Sequence, residues 1–120
     1  MKSSDFRELK VWQKAMELTI EIYSIVNLLP PSETYVLSDQ MRRAAISIPS
    51  NIAEGQGRDT MKEFNRFLSV ARGSLRELST QLEICERVHY MDQSQTSKAS
   101  SLIEEIDKML NALSKSLIPF

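Results

Sequence analysis

Apolar residues return every three or four positions along most of this chain, the spacing of one face of an α-helix, and nowhere do they alternate as a half-buried strand requires. Four amphipathic segments follow from that pattern. The first covers about residues 5–28, where Val11, Ala15, Leu18, Ile22, Ile25 and Leu29 form one stripe. Trp12, Met16, Thr19, Tyr23 and Val26 form a second stripe beside it, so the apolar face is wider than a two-helix seam needs. Asp5 with Glu8 predicts a capping box at its start, and Pro30–Pro31 a stop.

The second segment, about residues 38–55, carries Leu37, Met41, Ala44, Ala45, Ile48 and Ile52, with Ser38 as the expected N-cap and Asp39 in the first turn. Pro49 lies inside it and removes the N–H that would reach the Ala45 carbonyl, at a cost of about 3 kcal/mol, which predicts a kink or a break. Gly55 and Gly57 predict its end. The third segment, about residues 61–89, opens on a Thr60/Glu63 capping box and repeats Phe64, Leu68, Ala71, Leu75, Leu78, Leu82 and Cys85 at alternating four-three spacing. Gly73 interrupts it at about 1 kcal/mol relative to Ala, which points to a close approach of neighbouring backbone. The fourth, about residues 94–115, is capped by Asp92 with Gln95 and carries Ala99, Ile103, Ile106, Leu110, Leu113 and Leu117, widened by Leu102 and Met109.

Short connections between long helices favour antiparallel neighbours, so the expected fold is all-α, an up-down-up-down four-helix bundle in a single domain over residues 1–120. Some apolar positions exceed what one bundle buries. Trp12 and Tyr23, then Ile46, Pro49 and Ala53, then Val70, Gly73 and Ile84 project away from the main stripes and read as contacts to another subunit. Scattered exposed apolar residues are the ordinary alternative.

Composition changes this picture little. Net charge is −1, against the basic excess of a dedicated nucleic-acid binder, although residues 37–80 carry 7 basic and 5 acidic side chains. One cysteine excludes an internal disulfide and fits a reducing compartment. Met1 to Lys14 lacks the apolar run of a signal peptide, and no apolar stretch approaches the ~20 residues of a membrane span. The expected location is cytoplasmic, with no membrane partner.

Candidate chemistry is sparse. Glu86 and His89 form the E-x-x-H half of a di-iron site, but such sites need two pairs and this chain has one histidine. His89 near a helix end reads as a dipole partner. Cys85 falls on the core stripe, and Gly55-Gln56-Gly57-Arg58 lacks the lysine of a phosphate loop. No metal, cofactor, small-molecule substrate or catalytic activity is expected. More informative is a polar border. At ~100° per residue, Gln40, Arg43, Ser47, Asn51, Glu54 and Arg58 share one sector of the second segment, and Asn65, Ser69, Arg72, Arg76 and Glu83 a similar one on the third. These groups either hydrogen-bond between helices or subunits, or leave Arg42, Arg43, Arg58, Lys62 and Arg66 free for phosphates.

The run Arg42-Arg43-Ala44-Ala45-Ile46-Ser47-Ile48-Pro49-Ser50-Asn51-Ile52-Ala53-Glu54-Gly55 closely resembles the hallmark of the 23S rRNA intervening-sequence protein family. Leu9-Lys10-Val11-Trp12-Gln13-Lys14-Ala15, Glu63-Phe64-Asn65-Arg66-Phe67-Leu68 and Ala71-Arg72-Gly73-Ser74-Leu75-Arg76-Glu77-Leu78 extend the resemblance over nearly the whole chain. It implies antiparallel four-helix bundles assembled as homopentamers, with no established catalytic activity. A related group serves as accessory proteins of reverse transcriptases in diversity-generating retroelements; those are markedly basic, and this chain is not. The expected role is an oligomeric scaffold that contacts RNA or a nucleoprotein partner through a basic surface, or else an adaptor directed wholly at proteins.

Overall fold

The computed structural model of the chain describes residues 5–118. Four helices, α1 (Lys10–Val26), α2 (Leu37–Gln56), α3 (Met61–Arg87) and α4 (Gln93–Ser116), are joined by short connections, with 3-10 turns at Phe6–Glu8 and Pro31–Glu33. The described residues contain no strand. Each helix packs on two others: α1 on α2 and α4, α3 on α2 and α4. The body measures 47 × 22 × 20 Å. The four main stripes meet in one core, where Leu18, Ile22, Met41, Ile48, Ile52, Leu68, Leu75, Leu78, Ile106 and Leu110 are fully buried. Each such side chain contributes roughly 1.5–3 kcal/mol of transfer free energy, which holds helices that isolated segments of this length would not keep.

Helix ends depart from expectation where a neighbouring turn takes the capping group. Asp5 does not start α1. Its carboxylate accepts the Arg7 N–H at 2.9 Å and caps the Phe6–Glu8 turn, and α1 begins at Lys10 behind an extended Leu9. Ser38 is not the N-cap of α2 either, being buried inside the first turn. Glu33 from the preceding turn reaches the Leu37 N–H at 3.4 Å, and its other oxygen accepts the Tyr90 hydroxyl at 2.8 Å. That carboxylate ties the α1–α2 connection to the α3–α4 connection and raises the Tyr90 phenol above its ordinary value. Thr60 accepts the Glu63 N–H at 3.1 Å, half of the predicted box, while the Glu63 carboxylate turns to Arg66. The Asp92/Gln95 box at α4 forms in both directions.

Pro49 neither breaks α2 nor leaves a carbonyl bare. The helix runs continuously through it. The Thr19 hydroxyl of α1 lies 2.8 Å from its own Ala15 carbonyl and 3.2 Å from the Ala45 carbonyl, the group that the proline cannot serve. Two glycines exchange their expected roles. Gly55 is inside α2, and a Cβ there would meet Phe67 Cβ at 2.8 Å and Phe64 Cδ1 at 2.9 Å, so it is the place where α2 and α3 touch. Gly73, expected at a close approach, has nothing within 4 Å of a built Cβ and faces open space.

The third helix stops at Arg87, short of the expected His89. His89 takes φ 65°, with its N–H on Glu86 O at 3.1 Å and the Tyr90 N–H on Cys85 O at 2.9 Å. This is a Schellman end with histidine at the left-handed position usually held by glycine.

Candidate protein-contact surface

The wide face of α1 and the surplus residues of α2 come together. Trp12, Met16 and Thr19 from α1 face Ile46, Pro49, Ser50 and Ala53 from α2 across an apolar groove of about 360 Å³, and Phe6 forms its end wall. Phe6 stands edge-on to Trp12 with centroids 5.2 Å apart, and Gln13 fixes the turn by donating to the Arg7 carbonyl at 2.9 Å. Pro49, expected to project outward, is instead buried between the two helices and forms the groove floor with half-buried Ala53. Ile46 and Met16 remain exposed at 43% and 36% on its rims.

On the other flank of α2, the Ser47 and Ser74 hydroxyls meet at 2.9 Å. Val70 and Gly73, within a turn of Ser74, therefore stand at the level of Pro49 and Ser50. Both are exposed. The result is one face centred on α2, with a groove on one side and a small-residue shelf on the other. Tyr23 and Ile84 are also exposed but lie farther along α1 and α3.

The candidate nucleic-acid cations divide into two groups, with Arg58, Lys62 and Arg66 gathered around Glu63 and Phe67 and the other two apart from them. Arg42 and Arg43 sit in the second turn of α2, about 20 Å along the helix from Arg58. Three of the five cations are paired with carboxylates: Arg43 with Asp39 at 3.1 Å, Arg58 with Glu54 at 2.8 Å and Arg66 with Glu63 at 3.2 Å. The Arg66 guanidinium lowers the Glu63 carboxyl below its ordinary value and is itself raised by it. Arg58 and Arg66 also lie over the Phe67 ring, each 4.7 Å from its centroid, a stack that spacing alone does not reveal. Arg42 and Lys62 form no ion pair among the described residues.

The polar border divides likewise. Ser47 joins α2 to α3, and Asn51 donates back to the Ser47 carbonyl at 2.7 Å and its hydroxyl at 3.0 Å. Arg72 crosses to α4, reaching Asp107 at 3.2 Å and Asn111 at 3.5 Å, and the Ser114 hydroxyl bonds Asn65. Ser47, Arg72 and Asn65 thus link helices, while Asn51 bonds within α2. Gln40 is exposed, outside the Ser47–Asn51 cluster. Arg76 is exposed on a shallow α3–α4 groove beside Ser79, Ser100 and Glu104.

Cys85 is buried against Met41, sulfur to sulfur at 3.8 Å, and burial pushes its thiol up to about 11, the state least suited to attack. Among the described residues no three His, Cys, Asp or Glu side chains gather as metal ligands, and no helix is long and apolar enough to cross a membrane.

Comparison with known proteins agrees with this architecture. A solved structure from Bacteroides thetaiotaomicron, described as a protein of unknown function from the S23 ribosomal protein family, superposes with a TM-score of 0.81 at 26% identity. The similarity covers 88% of this chain and 98% of that one. No curated protein matches the chain. Residues 7–112 match the 23S rRNA-intervening sequence protein family, whose hallmark run lies along α2, and the chain belongs to that family.

Proposed function

We propose that this protein is a non-catalytic, homo-oligomeric scaffold of the cytoplasm, an antiparallel up-down-up-down bundle that works through protein contacts on the α2-centred face. The observation that carries this reading is a contrast on one surface. The apolar groove and its flanking shelf are exposed, whereas Arg43, Arg58 and Arg66 each lie against a carboxylate three or four residues before them. A surface of internally paired charges offers few counterion-releasing contacts to a phosphate backbone. The absence of a basic excess, at net charge −1, speaks in the same direction and against the role of the basic retroelement accessory proteins. Antiparallel packing is supported by pairs whose numbers run in opposite directions, Asn65 with Ser114 and Arg72 with Asp107 between α3 and α4, and Lys14 with Glu105 and Glu21 with Lys98 between α1 and α4. The family resemblance adds a copy number of five.

Size-exclusion chromatography with light scattering and dual 260/280 nm absorbance, on protein purified at low salt, tests this reading. The expected result is a discrete multimer free of excess 260 nm absorbance. Nucleic acid that co-elutes and leaves with salt or nuclease would replace the protein-directed scaffold with an RNA-contacting one. A monomer would remove the scaffold altogether.

A further inference from the structure

The groove on the α1–α2 face is matched by a convex feature at the far end of the same molecule. Tyr35 is 90% exposed, and Val36 and Leu28 beside it are 55% and 48% exposed. The tyrosine is not on a loose loop. Pro30 and Pro31 open a 3-10 turn whose N–H groups at Glu33, Thr34 and Val36 bond successively to Pro30, Pro31 and Glu33 carbonyls at 2.9–3.1 Å. Glu33 then anchors the turn to Tyr90 and to the Leu37 N–H. An aromatic side chain held out on a fixed turn loses little entropy on docking, and such side chains are the usual anchors of interfaces.

We propose that Tyr35 of one copy inserts into the α1–α2 groove of the next, a contact that rests on the self-association proposed above. Size selects the occupant. At about 360 Å³ the groove is at the small end of ligand pockets and takes one large side chain with its neighbour rather than a helix. The face around it, about 30 Å along α2 and roughly two helices or 20 Å wide, offers about 600 Å². A stable contact needs ~800 Å² per partner. That face alone falls short, so the contact must extend beyond it, as it does for a folded second copy carrying the anchor and not for an isolated peptide. Charge agrees: Glu33 is the only charged residue in the connection 27–36, and its carboxylate is turned inward, so the anchor brings no charge into an apolar site. Tyr35 cannot reach its own groove, because Pro49 lies about 20 Å along α2 from Val36. The contact is therefore between unlike surfaces, the head-to-tail kind that closes a ring or extends a filament.

This geometry has a distinctive complementation test. Tyr35→Ser removes the anchor and Ile46→Glu charges the groove rim; both positions are exposed, and far-UV circular dichroism checks that the variants fold. By light scattering, each variant alone is expected to fall to monomer, with its association weakened at least about 30-fold, the size of an anchor loss. Mixed in equal amounts they should form a one-to-one dimer, since the Ile46→Glu copy keeps its tyrosine and the Tyr35→Ser copy keeps its groove. Val36→Ser serves as a second anchor-loop variant, and Tyr35→Cys mixed with Ala53→Cys should give a disulfide-linked dimer. If the parent assembles and Tyr35→Ser assembles equally, the contact is wrong while the scaffold stands. A mixture that stays monomeric also overturns it. A parent that is monomeric at every concentration overturns the self-association itself.

Discussion

The carbonyl that Pro49 leaves without its helical donor meets a hydroxyl of α1, and the worth of that contact can be measured. Thr19 Oγ1, on a different helix, shares its one proton between the Ala15 carbonyl at 2.8 Å and the Ala45 carbonyl at 3.2 Å, and so offers the latter a donor in place of the N–H that Pro49 lacks. Thr19→Val keeps the shape and deletes the donor. Ala45 is fully buried, so its carbonyl then loses its replacement partner, at a cost of about 1–3 kcal/mol. The Ala15 carbonyl, which the same hydroxyl also contacts, suffers less because it retains its helical N–H partner. In a Pro49→Ala background the restored N–H of residue 49 serves the Ala45 carbonyl itself, and Thr19→Val should then cost much less. The coupling between the two positions is expected at about 1–2 kcal/mol, well above the 0.3–0.5 kcal/mol scatter of independent sites. Urea melts of the four proteins, at one protein concentration because association shifts apparent stability, give the cycle directly. Equal cost of Thr19→Val in both backgrounds would refute this account of the proline.

Other expectations follow from single features. Gly55→Ala should destabilise by about 1–2 kcal/mol, an overpacking cost of 1–3 kcal/mol partly offset by helix propensity, whereas Gly73→Ala should stabilise the protomer by up to about 1 kcal/mol; equal effects in thermal melts would contradict the two environments. His89→Gly should stabilise by about 0.5–1 kcal/mol because the left-handed position costs histidine and not glycine, and an unchanged urea midpoint would count against that. Cys85 should resist alkylation until the chain unfolds. Burial raises its thiol from 9.0 to about 11, so both states hold the proton below pH 9; above it only the unfolded chain releases the proton, and stability should fall toward pH 11, a slope that Cys85→Ala removes. Asp92 is held below 3.8 by the Ser94 hydroxyl and the Gln95 N–H, so its contribution is present above pH 3.8 and lost as pH falls through the lower folded value. Asp92→Asn keeps a cap without that titration and should flatten this part of the acid limb.

What could be read in the chain was what depends on periodicity. All the residues of the main stripe of α2, from Leu37 to Ile52, are buried, and so are those of α3 from Leu68 to Cys85. What could not be read depends on which neighbour each group meets in the fold. Ser38 resembles an N-cap until Glu33 takes that duty, and Pro49 resembles a break until Thr19 arrives from α1. Gly55 and Gly73 look alike in sequence, and only the position of Phe64 and Phe67 separates a required glycine from a free one. The site was half legible for the same reason. Their positions off the main stripes marked Ile46, Ala53 and Trp12 as surplus, and α1–α2 packing gathers them. Arg43, Arg58 and Arg66 looked available, yet Asp39, Glu54 and Glu63 stand three or four residues before them, a spacing visible in the sequence that predicts pairing. Tyr35 went unmarked because it lies outside every helical stripe.

The most direct test of the central claim is the mass of the intact chain by sedimentation velocity across a wide concentration range. A self-associating scaffold predicts a discrete multiple of the 13.7 kDa protomer that persists into the low micromolar range. A single species of protomer mass at every concentration would contradict it, leaving the α2-centred face an ordinary exposed surface.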